Sequence, residues 1–172
     1  CNENEVKLGF TISLDGVDEI HDLIRGVAGG YMKTLESLHK IMACKDKYCD
    51  YIHIGCTVSK HNVTYLAQID TFFNTLRIPV TFHLAVPNKR IGTFDNASYS
   101  VLSDDKARLL ATEFFLWKTL TNANLMAKFF AFGNYYYLMN KGTKRLTICT
   151  YRYRDVTIDE KLNMYLCATS SD

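Results

Sequence analysis

The sequence predicts an α/β chain built on a parallel sheet, and three observations carry that expectation. Short β-rich segments alternate with segments of helical periodicity from Val6 to Met139. Polar turn residues, glycine or proline stand at each change of period. From Arg145 onward the pattern switches to short β-rich runs with no helix between them. Strand–helix alternation implies parallel strands joined by right-handed crossovers. The closing runs, Arg145–Tyr153, Asp155–Ile158 and Asn163–Cys167, have instead the pattern of a β-hairpin.

The first strand is read at Val6–Leu14, where Val6, Leu8, Phe10, Ile12 and Leu14 alternate before the turn signal Asp15-Gly16. A polar connection, Val17–Gly30, has room for a short helical turn around Asp18–Ile24. Tyr31, Leu35, Leu38 and Met42 then repeat at helical spacing, which predicts a helix of about three turns. Tyr51–Ser59 is the second strand, and Asn62 is placed to cap a helix with the apolar stripe Leu66, Ile69, Phe72, Phe73 and Leu76. Arg77-Ile78-Pro79 ends that helix, and Val80–Val86 is the third strand, followed by Pro87 and a polar loop through Ser100. Ser103 is the expected N-cap of the next helix, with Asp104 and Asp105 in its first turn, where the helix dipole favours negative charge. This helix runs to about Thr121, Asn122–Asn124 breaks it, and Leu125–Met139 forms another that ends at Asn140-Lys141-Gly142.

Composition narrows the function classes. At 172 residues and 48% hydrophobic, the chain can bury a core. Its formal charge is +2, from 20 basic and 18 acidic residues interspersed along the sequence, so a nucleic-acid partner is not expected. No apolar run reaches the roughly 18–20 residues that span a bilayer, and Cys1-Asn2-Glu3-Asn4-Glu5 lacks the features of a signal peptide. No membrane partner and a cytoplasmic location are the expectations. Beginning on Cys1 and stopping at Ser171-Asp172 after a strand-like segment, the chain reads as a piece of a longer protein.

Six cysteines can serve as disulfides, ligands or core residues, and spacing separates these uses. Cys44, Cys49 and Cys56 with His53 have the composition of a zinc site, but a strand over Ile52–Val58 puts Ile52, Ile54 and Cys56 on one face and His53 on the other. Buried or loop thiols are the expectation there. His39, His53, His61 and His83 show no paired spacing suited to a metal. Asp70 and Glu113 read as solvated helix charges, and Tyr135-Tyr136-Tyr137 reads as a packing stripe, with a peptide groove as the alternative.

In α/β folds ligands gather at the carboxyl ends of parallel strands. At the end of the first strand Ser13 and Asp15 alternate with Ile12 and Leu14, so a hydroxyl and a carboxylate can project from one face and hydrogen-bond a ribose; an ordinary Asp-Gly turn capped by serine fits the same residues. Arg25 in the following loop reads by itself as a solvated charge or a salt bridge to Asp22.

The string Ser13-Leu14-Asp15-Gly16, Asp18, His21-Asp22, Ile24-Arg25-Gly26, Gly29-Gly30-Tyr31 resembles the fourth strand and following loop of radical S-adenosylmethionine (radical SAM) enzymes, of the peptide-modifying and sulfatase-maturing type. Thr57-Val58-Ser59-Lys60-His61-Asn62 resembles their fifth strand and helix cap, and Pro79–Pro87 their sixth strand. The resemblance implies that this chain is the second half, three βα units, of a partial (β/α)6 TIM-like barrel, followed by the hairpin start of a cysteine-rich iron–sulfur domain. It implies S-adenosylmethionine as cofactor, with Ser13 and Asp15 at its ribose or amino acid part, Arg25 at its carboxylate, and Leu84 or Val86 flanking the adenine; simple core is the other reading of the last two. Residues 1–121 would be barrel, 122–144 a connecting helix and 145–172 the start of a SPASM-like auxiliary-cluster domain.

Cys149, Val156-Thr157-Ile158-Asp159 and Tyr165-Leu166-Cys167 resemble the opening of that domain, which implies Cys149 and Cys167 as ligands of an auxiliary 4Fe–4S cluster. Leu162 stands where the family has glycine. Two cross-strand thiols are the alternative. The Cys-x-x-x-Cys-x-x-Cys loop that holds the family's catalytic 4Fe–4S cluster does not occur in the sequence, so its ligands would lie outside this chain and the chain alone would be inactive. The full protein would cleave S-adenosylmethionine to a 5′-deoxyadenosyl radical that modifies a peptide or protein substrate, with a flavodoxin or ferredoxin as electron donor. A non-catalytic α/β partner module is the second reading, and a cysteine loop upstream of Cys1 would separate the two. A phosphate-binding α/β protein ranks last, because Gly26-Val27-Ala28-Gly29-Gly30 lacks the Lys-Ser/Thr ending of a phosphate loop.

Overall fold

The computed structural model describes residues 8–45, 49–87, 97–147, 157–158 and 162–165. The chain divides into two compact units, 1–83 and 84–172. In order, the first part of the chain forms β1 (Gly9–Ser13), α1 (Glu19–Arg25), α2 (Gly30–Ala43), β2 (Tyr51–Val58), a 3-10 turn (Val63–Tyr65), α3 (Leu66–Thr75) and β3 (Val80–Leu84). The strands make one sheet of three in the order β1-β2-β3. β1 runs parallel to β2, from Gly9 opposite Tyr51 to Ser13 opposite Gly55. The fold is thus α/β with a parallel sheet, as the alternation of periods predicted.

β2 is the central strand, and its side chains alternate as its sequence does. Ile52, Ile54, Cys56 and Val58 are buried, while His53, Gly55 and Thr57 are half-buried on the opposite face. Leu38 of α2 and Leu66, Ile69 and Phe73 of α3 are buried as well. Phe73 lies at the centre of an aromatic row, 6.0 Å from Phe72 and 6.3 Å from Phe82 between ring centroids, and Phe72 in turn meets Tyr31 at 6.2 Å. Such contacts add to the area that each ring removes from water.

The connection between α1 and α2 follows from two glycines. Gly26 and Gly29 have φ of 66° and 71°, a conformation that costs an L-residue with a side chain. Gly26 therefore stops α1, and Gly29, having no side chain, leaves the amino end of α2 without a cap of its own. The Asp22 carboxylate supplies it from α1, accepting the N–H groups of Gly29 at 2.5 Å and Tyr31 at 2.7 Å. With this cap α2 reaches 14 residues, longer than the three turns read from its apolar spacing.

Several boundaries differ from the sequence reading for local reasons. β1 stops at Ser13, because the chain leaves the sheet to bury Asp15. β2 ends before Ser59, whose N–H is taken by the Asn62 side chain. β3 ends at Leu84, and the Val86 carbonyl accepts from the Tyr99 hydroxyl at 2.9 Å. Asp70 is not a solvated charge: it is buried, and its Oδ2 accepts from Asn74 Nδ2 at 3.3 Å. Its place on the core side of α3, one residue from Ile69, withdraws it from water.

The second unit contains 3-10 turns at Ala97–Tyr99 and Val101–Ser103, then α4 (Asp105–Thr121) and α5 (Leu125–Met139), which pack on each other. Asp104, not Ser103, caps α4, accepting from Ala107 N at 2.7 Å from an extended backbone. The Ser103 hydroxyl is engaged elsewhere, donating to the carbonyls of Ser98 and Ser100. Asn124 caps α5 through Met126 N and Ala127 N. Leu125, Met126, Phe129, Phe130 and Met139 are exposed on α5, and Tyr135, Tyr136 and Tyr137 are half-buried. Two short strands, β4 (Thr157–Ile158) and β5 (Met164–Tyr165), pair antiparallel. Leu162 between them has φ of 64°, the left-handed region that glycine enters most easily.

Candidate functional site at the ends of the first two strands

β1 and β2 are parallel neighbours, so their carboxyl ends lie side by side. Ser13 is exposed as the last residue of β1. Leu14 keeps one more bond to the sheet, its N–H donating to Gly55 O at 3.0 Å, and Asp15 then turns inward. The turn is close: a Cβ on Gly16 would stand 2.7 Å from Ile20 Cγ2 and 2.8 Å from His21 N. Glycine is required at that position because α1 folds back directly over it.

Asp15 uses every polar group it has. Its N–H donates to His21 Nδ1 at 3.1 Å, and its carbonyl accepts from Asn62 Nδ2 at 2.8 Å. Its Oδ1 accepts the Thr57 N–H at 2.7 Å, and its Oδ2 pairs with Arg25 Nη2 at 2.6 Å. The Asp15 side chain is 3% exposed and that of Arg25 is 40% exposed, so the pair spans the boundary between core and solvent. Asn62 completes the arrangement, its Nδ2 also donating to Thr57 O at 2.8 Å and its Oδ1 accepting from Ser59 N at 2.8 Å. Buried polar groups are tolerated when paired in this way.

Of the residues singled out from sequence, the structure brings Asp15 and Arg25 together and leaves Ser13 exposed at the neighbouring strand end. Arg25 does not pair with Asp22, whose carboxylate is committed to capping α2. Leu84 is the half-buried last residue of β3, and Val86 is half-buried beyond it. Cys149 and Cys167 lie outside the described residues. The sequence reading did not foresee His21, Thr57 and Asn62 as partners of Asp15. Asn62, the expected helix cap, makes no capping bond with its side chain, which serves the strand ends instead. Nothing local in Lys60-His61-Asn62 announces that use.

No family model and no curated protein matches the sequence. A solved structure is similar. It is native anSMEcpe with bound AdoMet and Cp18Cys peptide, 18% identical, with a TM-score of 0.47 over 66% of this chain and 31% of that one. This chain thus spans about a third of the length of that one.

Electrostatics at the site follow from burial. The His21 pKa is lowered from 6.5 chiefly by burial, with Asp15 opposing and Arg25 reinforcing the shift. Since Nδ1 accepts from Asp15 N–H, the neutral ring carries its proton on Nε2. Burial likewise lowers the pKa of His53, whose Nε2 meets Thr81 Oγ1 at 2.5 Å. In the native state both rings stay neutral to lower pH than in the unfolded chain, where they take up protons as pH falls through 6.5. Stability is therefore fully present above 6.5 and declines below it, by up to about 1.4 kcal/mol per pH unit for each ring. Urea unfolding at a series of pH values should show the midpoint falling below about pH 6.5, and His21→Gln should flatten the slope. A midpoint independent of pH in that range would contradict the neutral assignment.

The thiols differ in character. Burial, and then Asp15, pushes the Cys56 thiol well above its ordinary range, which makes it an unreactive core residue. Cys44 is exposed and Cys49 half-buried; both line a cavity of about 250 Å³ with Phe10, Lys40 and Ile41. Among the described residues no three of His, Cys, Asp and Glu group as a metal site, and no helix is long and apolar enough to cross a membrane. Arg25 ends α1 with a side chain 40% exposed, its Nη2 paired with Asp15 Oδ2.

Proposed function

We propose that this chain is the part of a radical SAM enzyme that receives the amino acid end of S-adenosylmethionine, within a longer protein that modifies a peptide or protein side chain. The observation that carries the reading is Arg25, whose partly exposed side chain is tied by its guanidinium to the buried Asp15 at the carboxyl ends of two parallel strands. Its support from sequence is the string from Ser13 to Tyr31, in which these same residues match the family pattern. On this reading the sheet is half of a barrel, Arg25 takes the ligand carboxylate, Ser13 offers its hydroxyl to the ribose or amino group, and Leu84 or Val86 lies against the adenine. Cys149 and Cys167 would serve an auxiliary 4Fe–4S cluster in the C-terminal segment, and a flavodoxin or ferredoxin would supply electrons. When bound, the cofactor supplies the radical chemistry; the residues of this chain bind and orient it.

Calorimetric titration of the chain with S-adenosylmethionine tests the reading. Saturable binding is expected, with Arg25→Ala weakening it about 10- to 100-fold, the equivalent of one charge-assisted hydrogen-bonded contact. Ser13→Ala should weaken it by less, about 2- to 10-fold. Absence of saturable binding, or binding indifferent to Arg25→Ala, overturns the assignment.

A further inference from the structure

We infer that Asp15 is a positioning residue, which sets Arg25 for a carboxylate-bearing ligand and does not itself touch that ligand. The inference deepens the reading above and rests on it for the identity of the ligand. Sequence periodicity pairs Asp15 with Ser13 as two groups facing one ligand, and the structure separates them: Ser13 is exposed, whereas the Asp15 side chain is 3% exposed.

Three features support the role. Both Asp15 oxygens are committed, Oδ1 to the Thr57 N–H and Oδ2 to Arg25 Nη2. Each oxygen has a second lone pair, but the side chain is 3% exposed, so a ligand could reach it only by displacing the groups that cover it and hold it, and a buried charge left short of a partner is costly. Second, Asp15 is held from three directions, by His21 in α1, by Thr57 at the end of β2 and by Asn62 beyond it. It is therefore a fixed point from which a long side chain can be held. Third, Arg25 is the last residue of α1, before the left-handed Gly26, and has no other hydrogen-bond or ion-pair partner among the described residues. Without Asp15 it is a solvated arginine with the full rotamer freedom of its side chain. With Asp15 it is restrained while most of its five N–H donors stay available to a ligand. Restraining a contact group before the ligand arrives raises affinity by removing an ordering cost from the binding step.

The test compares S-adenosylmethionine with 5′-deoxyadenosine, which has no carboxylate, on the wild-type chain, Asp15→Asn, Arg25→Ala and the double variant. Asp15→Asn keeps an oxygen for the Thr57 N–H and removes the charge that holds Arg25. It should weaken S-adenosylmethionine about tenfold or more and leave 5′-deoxyadenosine within about twofold, and the double variant should bind no worse than Arg25→Ala alone. Equal weakening of both ligands would mean that Asp15 only supports the fold, and would overturn the inference. Asp15→Glu, which keeps the charge but moves it by one methylene, must show the same selective loss, and it serves alone if Asp15→Asn does not fold. Should the wild-type chain bind neither ligand, the proposed function fails. The role of Asp15 is then decided by the rate at which phenylglyoxal modifies Arg25, read by peptide mass mapping: faster in the Asp15 variant is expected, and an unchanged rate overturns it.

Discussion

Asn62→Leu is expected to lower the unfolding free energy by about 3 kcal/mol, because a buried carbonyl, a half-buried carbonyl and a buried N–H lose their partner together. Asn62 is 0% exposed. Its Nδ2 joins Asp15 O to Thr57 O, and its Oδ1 holds the Ser59 N–H. Leucine fills similar space and can satisfy none of these groups, so the cost is that of unpaired backbone and not that of a cavity. Asn62→Asp retains the acceptor for Ser59 but sets a carboxylate against two carbonyl oxygens, and it should be at least as damaging near neutral pH. Urea unfolding with an unchanged m value measures the loss. A change below about 1 kcal/mol would mean that these carbonyls find other partners, and that Asn62 does not join the strand ends.

Phe73→Ala is expected to cost about 3–5 kcal/mol, the range for removing a large buried aromatic side chain from a core that cannot collapse around the gap. Phe73 is 0% exposed and stands between the rings of Phe72 and Phe82, so its loss empties the middle of the row that joins α3 to β3. Phe73→Leu, which retains much of the volume, should cost less than half as much. Denaturant titration followed by far-ultraviolet circular dichroism reads both. Equal effects of the two substitutions would indicate that ring geometry, and not filled volume, supports this core.

The parallel sheet was legible because its strands and helices advertise themselves by period: Ile52, Ile54, Cys56 and Val58 are buried in strict alternation, as the sequence pattern required. Leu125–Met139 was legible in the same way, bounded by Asn124 before it and by Asn140-Lys141-Gly142 after it. The site was legible in part. Residue types suited to a ligand were visible in Ser13, Asp15 and Arg25, but who pairs with whom depends on contacts between distant positions. Asp15 meets Thr57 across 42 residues and Asn62 across 47, and no local pattern encodes either contact. On the string of letters Asp22 is the salt-bridge partner read for Arg25, and the structure gives it Asp15 instead. What separates them is that the two left-handed glycines leave α2 without a cap of its own, and Asp22 is taken by that task. The same limit hid Asp70, whose burial depends on which face of α3 meets the sheet.

The side-by-side registration of β1 with β2 has a kinetic consequence. A hairpin can zip outward from its turn, whereas here Gly9 must find Tyr51 only after the whole of α1 and α2 has been threaded between them. The entropy of closing so long a segment is lost before the contacts that reward it exist, so assembly of the sheet should be slow relative to formation of α2. Until that closure the apolar edge of β2 is open to other chains, which makes the interval before registration the time when a newly synthesised molecule is most prone to aggregate.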